Sequence, residues 1–383
     1  MESNAGFVRL PSKEHGDDRH PQDRVNLWRT AFQDLTQDAA MLMNCICVLS
    51  SKPIPQYLFK PINATIPLGF DLFEDAGRHL IEIQQYVEAE RTVLDRLDTV
   101  EDGSAFAARV HRNMVGLYER TGRSIRAKAS ASLEFEIVTR QSQSVDNNLA
   151  NSWHNVGYTM VSAFEAADAV PYLDKAISMA EDVDESRCWQ QFNIDRFLRN
   201  RARAHQQLLR FEEAVRDFEK AEYYQQKIHG SDSHYDGETH YERAKIEAWR
   251  GNLAEAYSLA TKAHDLVSAD KPTQASVMAA QYRLGWIAML QEKNDLALQH
   301  LEKSLAISKG NEKDRAKSGK SGESARTQWR MSQVLERMGK EEEARSLRET
   351  AVKVKDSLLA TADYAQVEDE ESSWDALVGL LFR

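Results

Sequence analysis

The chain has 383 residues, and its 49 lysines and arginines against 60 aspartates and glutamates give a formal net charge of −11. Such an acidic balance argues against a general nucleic-acid or membrane binder. There are only 8 prolines and 17 glycines, while Ala, Leu, Glu, Gln and Arg recur throughout, so we predict an all-α protein.

Cysteine usage and hydropathy indicate the compartment. Cys45, Cys47 and Cys188 are too few for a disulfide framework, and their spacing fits no zinc knuckle. The polar N-terminal stretch lacks the apolar core of a secretory signal. No window approaches the roughly eighteen uncharged apolar residues of a membrane span. We therefore expect a reduced, soluble, cytoplasmic protein with no membrane partner.

Composition divides the chain into four segments. Residues 1–22 are polar, and we expect a disordered tail. In residues 23–68 apolar residues recur at helical spacing as far as Pro53 and Pro55, which predicts an N-terminal helical cap. Residues 69–360 carry a sequence repeat, and residues 361–383 form an acidic tail with a short predicted helix.

The repeat follows the tetratricopeptide pattern. In its clearest copy Trp153, Gly157, Ala169 and Ala176 have the spacing of that pattern, in which small residues let two helices approach closely. The anchor alanines of successive copies are Ala89, Ala127, Ala169, Ala214, Ala256, Ala297 and Ala344. Their separations of 38, 42, 45, 42, 41 and 47 give a period near 42. We predict a tetratricopeptide-like α-solenoid of about seven helical hairpins.

A stretch rich in histidine and carboxylates, HGSDSHYDGETHYER from His229 to Arg243, raises the question of a metal site. Asp236 and His240 are one helical turn apart and could supply two ligands. The repeat register instead places the stretch between two hairpins. There Gly230 is a natural helix C-cap, and Ser233 or Asp236 can cap the next helix. We favour this second interpretation and predict no metal site, with Asp236 and His240 as the weak candidates.

The acidic tail allows two interpretations. Residues 368–371 are all acidic, and Trp374, Leu377, Leu380 and Leu381 share one face of the predicted amphipathic helix. The acidic run could lie against a basic groove, with Trp374 and Leu377 on an apolar patch, so that the tail is the chain's own groove partner. Alternatively, the acidic run is a solvated linker before a capping helix.

Two stretches, IDRFLRNRARAHQQLLRFEEA from Ile194 and GESARTQWRMSQVLERMGKEEEA from Gly322, resemble the tetratricopeptide C-terminal regions of fungal NLR-like STAND ATPases of the NB-ARC type. The stretch that ends in IPQYLF at Phe59 is similar to the segment after their nucleotide-binding domain, where it closes a winged-helix element. The resemblance implies that residues 23–68 are a winged-helix-like remnant. It also implies a recognition module, because the family's P-loop ATPase domain is missing.

One short segment imitates a nucleotide-binding loop. Residues 317–321 copy the end of a Walker A motif, but its first glycine would be Asp314, and no strand precedes it. We therefore predict no cofactor.

The first helix of each hairpin is expected to line a concave groove. Four positions of each first helix, counted from the tryptophan slot, usually face that groove. The basic, asparagine, histidine and aromatic residues at these positions are Arg109, Arg112, Asn113, Asn151, His154, Asn155, Tyr158, Arg196, Arg199, Asn200, Arg203, Tyr241, Lys245, Tyr282, Arg283, Trp286, Arg326, Trp329 and Arg330.

Arginine forks suit carboxylates, asparagine amides can pair with an extended backbone, and Tyr and Trp are common binding anchors. We predict a non-catalytic protein-interaction scaffold that binds an acidic or extended peptide, mainly through Arg196, Arg199 and Arg203. The alternative is that these arginines form salt bridges with carboxylates of neighbouring repeats.

Two other classes of function stay open. An enzyme with its active site in the groove, for example in fungal secondary metabolism, would use His154, Tyr158 and Arg199 for acid–base work. No phosphate loop, HExxH or nucleophile elbow supports it. A single-stranded nucleic acid could stack on the aromatic residues, but the overall acidity makes nucleic acid the less favoured partner.

Overall fold

The computed structural model describes residues 89–90, 103–142, 144–182, 191–269, 274–314 and 322–383. Within these ranges the backbone forms helices and the turns between them. The predicted tail at 1–22, the cap at 23–68 and the segment 317–321 lie outside the described residues. So does the first predicted hairpin, apart from Ala89 and Glu90. The boundaries of the four predicted segments, 1–22, 23–68, 69–360 and 361–383, stay predictions.

Twelve helices of the described residues form six consecutive hairpins. The first helices of the hairpins are α1 (Ala105–Arg120), α3 (Asn147–Ser162), α5 (Ile194–Gln207), α7 (His234–Trp249), α9 (Gln274–Leu290) and α11 (Gly322–Arg337). The second helices are α2 (Ser124–Gln141), α4 (Ala166–Glu181), α6 (Phe211–His229), α8 (Leu253–Ala269), α10 (Asn294–Asp314) and α12 (Glu341–Leu359). Each helix packs most extensively on its hairpin partner and then on the next hairpin.

Small residues hold the two helices of a hairpin together, as the repeat predicts. The seven anchor alanines are at most 1% exposed. A Cβ added to Gly157 would lie 2.7 Å from Leu173 Cγ, and one added to Gly285 would lie 2.7 Å from Leu301 Cγ. Such contacts are too close for any larger residue. These observations confirm the α-solenoid of helical hairpins.

The turn inside each hairpin repeats one backbone conformation. One residue per turn is in the left-handed region, where glycine is preferred. The six residues are Gly122, Phe164, Leu209, Gly251, Glu292 and Gly339. Their separations of 42, 45, 42, 41 and 47 equal those of the anchor alanines, so the irregular period is a property of the whole hairpin.

The histidine-rich stretch is a capped connection between two hairpins. Helix α6 ends at His229, and Gly230 is its C-cap with a φ of 82°. Ser233 is the N-cap of α7 and forms a capping box with Asp236. The capping interpretation of Gly230, Ser233 and Asp236 is therefore confirmed.

The tail contains two short helices, not one amphipathic helix. Helix α13 covers Glu370–Asp375, and a 3₁₀ helix covers Leu380–Phe382. Trp374, Leu377 and Leu380 are buried, whereas Leu381 is half-buried. The break falls at Gly379, where an added Cβ would lie 2.2 Å from the Glu119 carbonyl oxygen. This close backbone approach leaves no room for a side chain at position 379.

None of the described helices is both long enough and apolar enough to cross a lipid bilayer.

Candidate functional site

The first helices carry two sets of polar and aromatic residues with different partners. One set, on α1, α3 and α5 with their neighbours, forms a chain of hydrogen bonds and ion pairs that we call the polar ladder. It consists of Arg112, Glu134, His154, Asn155, Arg196, Asn200, Arg203 and Glu242. The other set, on α7, α9 and α11, contacts the C-terminal segment and is called the tail-binding surface. It consists of Tyr241, Lys245, Tyr282, Arg283, Trp286, Arg326, Trp329 and Arg330.

The polar ladder begins at Glu134, whose side chain is fully buried. Arg112 Nε donates to Glu134 Oε1 at 2.6 Å, and Asn155 Nδ2 donates to Glu134 Oε2 at 2.8 Å. Asn155 Oδ1 in turn accepts from an Arg196 guanidinium nitrogen at 3.0 Å. The contacts therefore run from the first hairpin through the second to the third.

The ladder continues through His154 into the fourth hairpin. The Nδ2 atom of Asn200 lies 2.7 Å from His154 Nε2, and Asn200 Oδ1 accepts from Arg203 at 2.8 Å. Arg203 Nε donates to Glu242 Oε1 at 2.7 Å, and both side chains are 3% exposed. Buried charges of this kind are stable only when they are paired.

The three arginines predicted to bind the ligand thus have partners inside the array. Arg196 bonds Asn155, Arg199 pairs with Glu238, and Arg203 pairs with Glu242. The pairs of Arg199 and Arg203 are the salt bridges between neighbouring repeats that the alternative interpretation expects, whereas Arg196 bonds an amide oxygen. A role of these arginines in binding a ligand stays a prediction.

The remaining predicted residues of this half have local contacts. The Arg109 guanidinium lies 5.5 Å from the Phe106 ring centroid, and Asn151 Oδ1 accepts from Asn193 at 3.3 Å. Asn113 is half-buried on α1.

His154 and Tyr158, the acid–base candidates of the enzyme hypothesis, are buried. Their rings stack 5.8 Å apart, and Phe197 covers the His154 ring at 4.9 Å. Burial holds the pKa of His154 well below its usual range, and Arg196 lowers it further. A neutral, covered imidazole of this kind has no access to a substrate in the groove.

On the tail-binding surface an indole pair anchors the tail. Trp374 of α13 stacks on Trp329 of α11 with ring centroids 5.2 Å apart and planes 17° from parallel. The Lys355 ammonium lies 4.5 Å from the Trp374 ring centroid. Both indoles are almost fully buried. Aromatic pairs of this geometry are worth roughly 0.5–1.5 kcal/mol beyond their buried area.

Two carboxylates of the tail pair with cations of the groove. Asp375 accepts from Arg326 at 2.8 Å and lies 3.4 Å from Lys245 Nζ. Glu371, one turn earlier on α13, pairs with Arg330. Burial alone would raise the pKa of Asp375, but Lys245 and Arg326 hold it well below its usual range. The carboxylate of Asp375 is therefore ionised at neutral pH.

Backbone carbonyls of the last two residues are held as well. The Tyr241 hydroxyl donates to the carbonyl oxygens of Phe382 at 3.2 Å and Arg383 at 3.0 Å. Arg326 donates to the Phe382 oxygen at 2.7 Å, and Arg283 donates to that of Arg383. These contacts recognise main-chain carbonyl groups as well as side chains.

Aromatic rings hold these arginines in place. The Arg326 guanidinium lies 3.9 Å from the Tyr282 ring centroid. Arg283 lies 4.3 Å from the Tyr241 ring and 5.3 Å from the Trp286 ring. Cation–π contacts stabilise a guanidinium away from water without neutralising its charge, so the arginines still require anionic or carbonyl partners.

The predicted acidic run takes a smaller part in these contacts than Asp375 does. Asp369 caps α13, accepting from the Ser372 N–H at 2.7 Å, and Glu371 makes the single pair described above. Asp375 was missed because it stands outside the run. Its position four residues after Glu371, next to Trp374, was the available signal, because that spacing puts both carboxylates on one helix face.

A second missed group is Glu119 of α1, which faces the tail from the first hairpin. Burial raises its pKa to about 7, although Arg383 acts in the opposite direction. The hydroxyls of Ser162 and Tyr158 and the Leu380 backbone N–H also face this carboxyl group. No sequence pattern distinguishes Glu119 from the many solvated glutamates.

The weak metal candidates, Asp236 and His240, lie away from this surface. Asp236 Oδ2 accepts from the Ser233 N–H at 3.0 Å, and burial lowers the pKa of His240 to about 4. Among the residues that the structure describes, no three His, Cys, Asp or Glu side chains come close enough together to hold a metal ion.

The sequence matches no protein-family model and no curated protein. The solved structures that are similar to the chain include the following three. A Rap protein complexed with competence and sporulation factor has 13% identity and a TM-score of 0.58, covering 88% of this chain and 94% of that chain. Aspartyl phosphate phosphatase F from Bacillus subtilis has 13% identity and a TM-score of 0.51, covering 87% and 89%. The APC/C hetero-tetramer Cut9–Hcn1 has 12% identity and a TM-score of 0.51, covering 76% and 48%.

At such identities these likenesses support the α-solenoid fold and nothing further. The resemblance to the fungal NLR-like STAND ATPases stays a prediction.

Proposed function

We propose that the chain is a non-catalytic protein-recognition module whose tail-binding surface takes an acidic peptide segment with an aromatic anchor. The observation that carries the proposal is the set of contacts between this surface and residues 371–383 of the same chain. In this proposal the tail occupies the surface when no partner is bound, and its acidic and aromatic residues are of the kind expected in the partner.

Charge supports this function. If the tail left, Lys245, Arg283, Arg326 and Arg330 would lose the carboxylates and carbonyls that they contact now. The open surface would then present four cationic side chains to the solvent. The surface therefore favours an anionic occupant, although the protein as a whole is acidic.

The type of contact supports a peptide as that occupant. The indole of Trp374 fills an aromatic site, and Tyr241 and Arg326 bond main-chain carbonyls. Buried aromatic and arginine anchors of this kind are usual hot spots of protein interfaces. A nucleic acid offers phosphates and bases but no peptide carbonyls, so these contacts favour a peptide over a single strand.

The similar Rap structure is described as a complex with a further factor, so one solenoid of this fold binds a partner. The burial of His154 and Tyr158 supports a non-catalytic function for this half of the groove.

The test uses the full-length chain with its tail contacts weakened by Trp374→Ala and Asp375→Ala. A fluorescent peptide of residues 363–383 is titrated into this variant and into the wild type. We expect the variant to bind the peptide at least tenfold more tightly, because its own tail no longer competes. Arg348→Gln, which breaks a half-exposed pair with Glu336 on the last hairpin, should leave the affinity unchanged.

Peptide specificity completes the test. A second peptide carries the same two alanines, and it should bind the tail-weakened chain at least tenfold more weakly than the natural peptide. Equal binding of the two peptides, or no gain in the variant over the wild type, would contradict the proposal.

A further inference from the structure

The tail touches the first described hairpin before it enters the groove. Asp363 accepts a hydrogen bond from the Ile125 backbone N–H at 3.1 Å, and its carboxylate pairs with Arg126 at 2.6 Å. The Ala365 N–H donates to Ser124 Oγ at 3.3 Å. These contacts join residues more than 230 positions apart in sequence. They attach the tail to the first turn of α2.

The same tail is fixed to the last hairpin. Trp374 stacks on Trp329 of α11, and Asp375 pairs with Arg326 of the same helix. Lys355 of α12 donates to Ser373 Oγ at 2.5 Å. Residues 363–375 therefore contact both the first and the last described hairpins.

One carbonyl group lies between the two hairpins. A Cβ added to Gly122, in the α1–α2 turn, would lie 2.5 Å from the Leu377 carbonyl oxygen. One added to Gly322, the first residue of α11, would lie 1.9 Å from the same oxygen. Two glycines from opposite ends of the described array thus make room for one tail peptide group.

The packing of the first hairpin shows why this link is important. Among the described elements, α1 and α2 pack on each other and on α3, and α1 also contacts the tail's 3₁₀ helix. The described contacts that connect α1 and α2 with the last hairpin, other than those through the intervening hairpins, are therefore made by the tail. Without it, the hairpins of a solenoid are held by their sequence neighbours.

We propose that the tail is a clasp that ties the first described hairpin to the last, and that an acidic peptide replacing it in the groove separates these hairpins. The inference rests on the proposed function. Because Trp374, Asp375 and Phe382 make the groove contacts, an incoming peptide cannot occupy the surface while Leu377 keeps its place between Gly122 and Gly322. Ligand binding and the distance between hairpins become coupled, since the clasped state excludes the ligand.

Gly322 offers a substitution that acts on the clasp and spares the groove. It lies at the start of a helix, where alanine is a better helix former than glycine. Gly322→Ala changes no side chain of the tail-binding surface, yet its methyl group would overlap the Leu377 carbonyl. Gly116→Ala in α1 is the matched control, because a Cβ there would meet only the Arg120 guanidinium, at 3.8 Å.

The experiment measures the distance between the two hairpins in the full-length chain. Spin labels are attached through Leu133→Cys on α2 and Val352→Cys on α12, which are exposed positions, after Cys45, Cys47 and Cys188 are replaced by serine. Pulsed electron paramagnetic resonance then gives the distance distribution. We expect Gly322→Ala to lengthen and broaden it, and Gly116→Ala to leave it as in the parent.

The same labelled parent is then titrated with a shorter peptide of residues 369–376, which carries Trp374 and Asp375 but lacks Asp363, Ala365 and Leu377. It should lengthen the distance as Gly322→Ala does. The variant with Trp374→Ala and Asp375→Ala provides a second way to release the tail.

If neither it nor Gly322→Ala changes the distance, the clasp is overturned. If the peptide binds the tail-weakened chain without any change of distance in the parent at saturation, the clasp fails and the proposed function stands. If Gly322→Ala lengthens the distance but the peptide does not bind, the clasp stands and the proposed function fails.

Discussion

The polar ladder and the tail-binding surface occupy equivalent positions of the repeat, yet only the second takes its partners from the tail. The position nine residues before each left-handed turn residue shows the difference. It is held in turn by Asn113, Asn155, Asn200, Glu242, Arg283 and Arg330. Asn155 and Glu242 each bond an arginine of a neighbouring hairpin, and Asn200 bonds Arg203 of its own helix. Where this position becomes Arg283 and Arg330, the tail supplies a carbonyl and a carboxylate.

The lesson is that cations in a solenoid groove indicate a ligand only where the array does not pair them itself. Arginine count does not distinguish the two halves, because both contain several. The two halves differ in whether a neighbouring first helix carries an amide or a carboxylate that pairs with the arginine.

The largest effect is expected from breaking the ladder at Arg203. Arg203→Ala leaves Glu242 buried without its ion-pair partner, and such a loss costs about 3–5 kcal/mol. We expect the free energy of unfolding, measured by urea denaturation with circular dichroism, to fall by about that amount.

Lys220→Ala is the matched control for this prediction. Its pair with Glu181 is nearly half exposed on both sides, so its loss should cost less than about 1 kcal/mol. If Arg203→Ala costs no more than the control, the ladder is not structural and its arginines are free to bind a ligand. The distinction between the two halves would then collapse.

A pH effect of intermediate size is expected at Glu119, on the tail side of the comparison. Its pKa is about 7 in the folded chain against an ordinary value near 4.5. Between these values the folded state binds more protons than the unfolded state, so stability falls as pH rises through this range. The full difference corresponds to about 3 kcal/mol.

Glu119→Gln should remove this slope, because the amide does not titrate. The measurement is the difference in unfolding free energy between wild type and variant at several pH values from 4 to 8. Taking the difference cancels His154 and His240, whose lowered pKa values act with the opposite sign. Parallel profiles would show that Glu119 is ionised in the folded chain.

How much of this could be predicted from the sequence depends on whether contacts follow the repeat. The helical hairpins, the buried anchor alanines and the cap at Ser233 follow from local spacing, and the structure has them where the pattern predicts them. The pairing of Arg199 with Glu238 was open, because the register places both residues in the groove but does not say which cation meets which carboxylate.

The route of the tail lies beyond such reasoning. The approach of Leu377 to both Gly122 and Gly322 depends on how far the array curves, which accumulates over six hairpins and is encoded at no single position. Glu119 was missed for the same reason, because its partners come from distant segments that only the folded chain brings together. Asp375 differs from it, because its spacing from Glu371 was a signal in the sequence.

The smallest expected effect sharpens the comparison within the tail-binding surface. Glu371→Gln removes the carboxylate that pairs with Arg330, but the Glu371 side chain is 44% exposed, so the pair is screened and worth at most about 1 kcal/mol. We expect peptide 363–383 with this change to bind the tail-weakened chain less than about fivefold more weakly than the natural peptide, and Asp375→Asn to weaken it much more. Asp375 is 15% exposed and faces two cations, so its charge acts in a drier site. Raising the salt concentration should abolish the Glu371 effect and preserve most of the Asp375 effect. Equal losses for the two substitutions would mean that net charge, and not the buried geometry around Arg326, selects the occupant of the groove.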